Sequence, residues 1–96
     1  MSMKYLITYL IAGTRGGETR AKIIQTLKKT PMNMNKLANH LKMDYKTIQY
    51  HLRVLEENNI IRIIKKGKYG ALYYLSPEME ENYHLLGEIW VKSGKK

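Results

Sequence analysis

Residues 33–61 read NMNKLANHLKMDYKTIQYHLRVLEENNII, and the organisation of the whole chain follows from how this run divides. Asn33 is a good N-cap for a short helix, Met34 to Leu41 or Lys42, which places Leu37, Ala38 and Leu41 on one face. Asp44 caps a longer helix running to about Glu57, and Asn58 and Asn59 tolerate the left-handed stop that ends it. Only two or three residues separate the helices, a link so short that it forces a tight helix-turn-helix. On a wheel of about 100° per residue, Ile48, His51, Leu52 and Leu55 fall on one side of the second helix and Lys46, Gln49, Tyr50 and Arg53 on the other.

Upstream, Glu18 to Lys29 carries Arg20, Ile23, Ile24 and Leu27 at helical spacing, ends in lysines that suit the helix dipole, and is stopped by Pro31. Before it, the turn Gly13-Thr14-Arg15-Gly16-Gly17 follows the apolar run Tyr5 to Ala12, read as a buried or interfacial helix with a strand as the alternative. That run is far shorter than the ~20 residues of a membrane span, and no cleavage pattern follows it. Downstream, Ile60 to Lys65 and Ala71 to Leu75 are β-rich, and the glycine-bearing link Lys66 to Gly70 joins them as a hairpin. Ser76 then caps a last helix with Pro77 at its first position, along which Met79, Tyr83, Leu86, Ile89 and Trp90 form an apolar stripe. The expected fold is α+β, mainly helical with a small β-hairpin: a winged helix-turn-helix with an N-terminal helix (1–12), a three-helix core (17–59), a wing (60–75) and a C-terminal helix (77–92) in a single domain.

The chain has 96 residues and a formal charge of +9, so its core is modest or is completed by a partner. Without cysteine it excludes disulfide scaffolds, thiolate metal sites and cysteine nucleophiles, and it fits a reducing, cytoplasmic setting. The charge surplus by itself signals either solubility or a polyanionic partner. Its placement favours the partner. Lys46, Gln49, Tyr50 and Arg53 offer cations, an amide and a phenol with no acid among them, a set suited to a major groove. Tyr45 stands between that face and the core side. Lys65, Lys66, Lys68 and Tyr69, with Arg62, make an acid-free wing that suits a phosphate backbone, whereas Glu78, Glu80, Glu81 and Glu88 lie on the last helix. Arg15 in the glycine turn is a further phosphate candidate.

Other chemistry finds no support. His40, His51 and His84 lack ligand spacing, so neither a metal nor a cofactor is expected; His51 reads as a packed, hydrogen-bonded side chain. The glycine turn lacks the phosphate-loop pattern, and no nucleophile-base-acid set or carboxylate pair marks an enzyme.

The stretch Asn35 to Ile61, and above all His51 to Glu56, resembles the helix-turn-helix of ArsR-type winged-helix transcription regulators. The likeness extends from about Gly13 to Tyr83, and the segments Thr14 to Gly17 and Tyr69 to Tyr73 are similar to an archaeal branch of that family. The resemblance implies a homodimeric DNA-binding regulator, usually a repressor, with the Asp44 to Glu57 helix in the major groove and the wing on flanking DNA. The cysteines or histidine-acid ligands of metal-sensing members are missing here, so the effector is unknown. A dimer would pair the terminal helices through Tyr5, Leu6, Tyr9, Leu10, Met79, Tyr83, Leu86 and Trp90, and would read a pseudopalindrome in double-stranded DNA. A protein-interaction winged helix and a nonspecific nucleic-acid-binding architectural protein are the alternatives.

Overall fold

Caps set the limits of the helix-turn-helix. The Asn33 side chain accepts a hydrogen bond from the Lys36 amide at 2.8 Å and starts a helix at Met34; the Asp44 carboxylate does the same for the Thr47 amide and starts another at Tyr45. Between them Lys42 takes a left-handed conformation (φ 56°), and the Met43 amide returns to the Ala38 carbonyl at 3.0 Å, a Schellman-type closure that turns the chain in three residues. The same closure ends the second helix, with Asn59 at φ 59° and the Ile60 amide bonded to the Leu55 carbonyl.

The computed structural model describes residues 2–65 and 70–92. In chain order it contains α1 (Met3–Ile7), a π-helical turn (Thr8–Ala12), α2 (Gly17–Lys29), β1 (Met32–Asn33), α3 (Met34–Leu41), α4 (Tyr45–Glu57), β2 (Ile61–Lys65), β3 (Ala71–Leu75), α5 (Pro77–Glu81) and α6 (His84–Lys92). The fold is the expected one, mostly helical with a small antiparallel sheet. The apolar run at the N-terminus is helical, capped by Ser2, and so the strand alternative falls.

Two expectations are corrected. The sheet has three strands in the order β1-β3-β2, because Met32 and Asn33 pair with Tyr73 and Leu72 along the outer edge of the hairpin. Two residues beside a proline carry too little pattern to be read as a strand. The C-terminal helix, expected as one piece from 77 to 92, breaks at Asn82 and Tyr83. There the Asn82 side-chain amide donates to the Glu78 carbonyl at 2.8 Å, offering the backbone an alternative to helical continuation. Ser76, wholly buried, secures the entry to α5: its amide donates to the Ile60 carbonyl and its hydroxyl accepts from the Met79 amide.

The core runs through all these elements. Ile7 and Ile11 from the N-terminal helical segment, Ile23 and Ile24 from α2, Leu37 from α3, Ile48, Leu52 and Leu55 from α4, and Met79 from α5 are fully buried together. Each such side chain contributes about 1.5–3 kcal/mol over an exposed one. The N-terminal segment is therefore part of the core and not an appendage. Its attachment to α2 is close: a Cβ at Gly17 would stand 1.8 Å from the Ile11 carbonyl oxygen, far inside contact distance, and that oxygen is backbone and has nowhere to go. Gly17→Ala should accordingly cost more than about 2 kcal/mol, read as a drop in the midpoint of urea unfolding, whereas Gly87→Ala, in open space on α6, should be neutral or stabilising.

Candidate nucleic-acid interface

Helix α4 is amphipathic in the sense its sequence demands. Ile48, His51, Leu52 and Leu55 are buried, while Tyr45, Lys46, Gln49, Tyr50 and Arg53 are exposed. The guanidinium of Arg53 lies 5.8 Å from the centre of the Tyr50 ring, a cation–π contact that holds the cation along the exposed face. Tyr50 is half exposed, and its ring meets that of His51 edge-on at 5.2 Å. Glu56 and Glu57 are exposed in the last turn, at the far end from the N-terminal residues that enter a groove in helix-turn-helix docking.

Tyr45 occupies the junction between the helices and the sheet. It borders a 180 Å³ hollow with Asn33, Met34 and Asn35 at the start of α3 and with Gly70, Ala71 and Tyr73 of the wing. Lys65 is exposed at the end of β2. Lys66, Lys68 and Tyr69 lie outside the described residues. Arg62 is engaged elsewhere: it faces Glu78 at 3.6 Å, and Glu78 also accepts from the Asn59 side chain. Part of the positive charge of the wing is thus met by α5.

Arg15 is exposed in side chain and contributes its carbonyl to an internal network. At the centre of that network is Arg20, only 3% exposed. Its Nε donates to the Leu10 carbonyl at 2.8 Å, its Nη2 to the Thr14 hydroxyl and the Arg15 carbonyl, and its Nη1 to His51 Nδ1 at 3.2 Å. Because a guanidinium only donates, His51 Nδ1 accepts and the imidazole carries its proton on Nε2. Among the described residues no carboxylate lies within 4.0 Å of Arg20, and the carbonyls of Leu10 in the N-terminal helical segment and Arg15 in the turn take the place of a counter-ion. Burial pushes the Arg20 guanidinium below its ordinary value, against the pull of Tyr50 and Tyr9; burial, and then Arg20, push His51 below its own. The expected role of His51 as a packed, hydrogen-bonded residue holds. The role of Arg20 escaped the sequence reading, although its place on the apolar stripe of α2 was the signal.

The expected dimer residues separate into two groups. Leu10, Met79 and Leu86 are at most 3% exposed and already belong to the core, because α1 and the π-helical turn pack against α6 within one chain. They are removed from the surface available to a partner. Tyr5 and Tyr9 are 75% and 60% exposed, Leu6, Tyr83 and Trp90 are half-buried, and Val91, which the sequence reading passed over, is 73% exposed.

Among the described residues no group of histidines and acids is placed to hold a metal, and no helix is long and apolar enough to cross a membrane.

Residues 17–62 match the family described as bacterial regulatory protein, arsR family. The same architecture occurs in the reduced transcriptional regulator YodB from B. subtilis (19% identity over 95% of this chain and 89% of that one, TM-score 0.73). It also occurs in a probable transcriptional regulator from Pseudomonas aeruginosa (21% identity, 94% and 73% covered, TM-score 0.67) and in the transcriptional regulator BldR from Sulfolobus Solfataricus (15% identity, 92% and 66% covered, TM-score 0.73). No curated protein sequence matches the chain. The fold and the matched segment together define a transcriptional regulator of the DNA-binding winged-helix type. The matched segment contains the helix-turn-helix, which is similar to that of the arsR family.

The start of α4 supplies a direct test. Hydrogen bonds from the Thr47 amide, and then from its hydroxyl at 2.8 Å, hold the Asp44 carboxyl below its ordinary value. Its stabilising effect is therefore complete above the unfolded-state pKa of about 3.9 and is lost as pH falls through the lower folded-state value. Asp44→Ala should lower the thermal midpoint at neutral pH while Asp44→Asn, which keeps an acceptor, should change it less; melting curves through a pH series should show the difference between wild type and Asp44→Ala shrinking in acid.

Proposed function

We propose that the protein is a homodimeric, sequence-specific regulator of double-stranded DNA, acting as a repressor in the cytoplasm, without catalysis of its own. The observation that carries this reading is the exposed face of α4, where Lys46, Gln49, Tyr50 and Arg53 stand together while the opposite face is sealed in the core. Arg53 and Lys46 have the chemistry to read guanine O6 and N7, Gln49 to read adenine, and Tyr50 to reach a phosphate or a thymine methyl. Tyr45, beside the wing, and Lys65, exposed at the end of β2, are proposed to flank that face, and Lys66, Lys68 and Tyr69 to extend it along the DNA backbone.

The second copy is proposed to cover Tyr5, Leu6, Tyr9, Tyr83, Trp90 and Val91, an apolar group on the terminal helices that calls for a partner. Two-fold pairing would set two α4 helices about one DNA turn, ~34 Å, apart and select a pseudopalindrome. Occupation of such a site within a promoter would repress by exclusion.

Selection from a random duplex pool should return an inverted repeat; enrichment of no sequence would remove the specific reading in favour of architectural binding, and failure to bind any duplex would favour a protein-interaction module. With the selected site, Gln49→Ala and Arg53→Ala should each cost about 1–3 kcal/mol and relax the preference at particular base pairs. Lys65→Ala should weaken all duplexes alike and reduce the salt slope by about one. Sedimentation should give a dimer at micromolar concentration, and the double variant Tyr5→Glu, Tyr9→Glu should sediment as a monomer.

A further inference from the structure

Arg20 and His51 join the N-terminal segment, the glycine turn and α4 in one hydrogen-bonded group. One guanidinium binds the Leu10 carbonyl, the Thr14 hydroxyl, the Arg15 carbonyl and the His51 imidazole. The first belongs to the N-terminal segment whose outer face carries Tyr5 and Tyr9, the next two to the glycine turn, and the last to α4. On α4 the contact continues outward: the His51 ring meets Tyr50, and Tyr50 holds Arg53.

The imidazole has little room. A Cβ on Gly16 would stand 2.5 Å from His51 Cε1 and 3.3 Å from Nε2, so the ring rests against the backbone of the turn; the absence of a side chain at Gly16 permits that approach, and its left-handed conformation (φ 85°) favours glycine there as well. A proton added to Nδ1 would replace an acceptor by a donor at 3.2 Å from Arg20 Nη1 and set two cations against each other. With the turn closing one side, the strain falls on the placing of α4.

We propose that the Arg20–His51 contact is a proton-sensitive positioning latch, which holds the exposed face of α4 in register with the N-terminal helical segment when His51 is neutral and releases it when His51 takes up a proton. The latch rests on the proposed role of α4 in reading DNA. The groups that act on it are Arg20 from α2, Tyr50 from α4 and Tyr9 from the N-terminal segment, and among the described residues no carboxylate lies within 4.0 Å of the guanidinium to offset the added charge. The sign of the effect is distinctive. Positive charge gained by a DNA-binding protein in acid strengthens phosphate attraction. Simple electrostatics therefore predicts tighter binding in acid, and the latch predicts weaker binding.

The test is duplex affinity by fluorescence anisotropy from about pH 7.5 to about pH 4.5, a range that continues below the ordinary histidine titration because burial and Arg20 push His51 downward. Wild type should lose roughly tenfold in affinity, the equivalent of one unit of proton linkage, while circular dichroism reports an intact fold. His51→Asn keeps an acceptor oxygen where Nδ1 stands and cannot be protonated; it should bind like wild type at the upper pH and lose the acid decline. Affinity that is flat or rises in acid, or the same decline in His51→Asn, overturns the latch. In the free dimer, the Arg20 Nε–H resonance should follow the His51 ring titration by nuclear magnetic resonance. If the two titrate independently the latch is wrong even where DNA is bound; if they move together and no duplex is bound at any pH, the DNA reading fails and takes with it the proposed consequence for binding.

Discussion

A buried guanidinium with no acid beside it among the described residues is an uncommon way to join two helices, and much of this small protein is arranged around one. A charge removed from water is tolerated only when its hydrogen-bonding capacity is met. Arg20 meets that condition with carbonyls: Leu10 at the end of the N-terminal helical segment and Arg15 in the turn, with the Thr14 hydroxyl and a neutral imidazole completing the set. The π-helical widening at Thr8–Ala12 places the Leu10 carbonyl within reach, and the glycines at 16 and 17 bring the turn close enough to touch both neighbours. Each acceptor removed leaves one more buried guanidinium N–H without a partner.

The helix-turn-helix uses a different principle. Its two helices are delimited by side-chain caps and left-handed stops, all local in sequence, and only their buried faces depend on the rest of the fold. Local definition of the ends leaves the outer face of α4 free of structural duty, so Lys46, Gln49, Tyr50 and Arg53 are available for chemistry. Of the surface ion pairs among the described residues, Lys28 with Glu80 and Arg62 with Glu78 tie α2 and β2 to α5 and are half exposed, where such pairs contribute about 0–1 kcal/mol.

How much of this was legible in the sequence follows the same division. Asn33, Asp44 and Ser76 announce their helices because a cap is a one-residue signal acting over three residues. The buried and exposed faces of α4 follow from periodicity alone. What was hidden depends on contacts between distant residues: β1 exists only because β3 is beside it, and the break at Asn82 depends on a side chain turning back on its own helix. Leu10, Met79 and Leu86 were assigned to a partner because an apolar stripe on a terminal helix does not say whether its cover comes from the same chain or another. Arg20 shared the spacing of Ile23, Ile24 and Leu27, and its position predicted burial better than its charge predicted exposure.

The short strand β1 has a consequence for the thermodynamics of association. Asn33 pairs with Leu72 of the hairpin and, through its side chain, opens α3. One residue is therefore shared by the sheet and the helix-turn-helix, which makes the described strands and α3 a single mechanical body. The conformational entropy of aligning the strands with the helices is surrendered during folding, so a ligand that touches both loses little further freedom on their account and retains more of its contact energy as affinity.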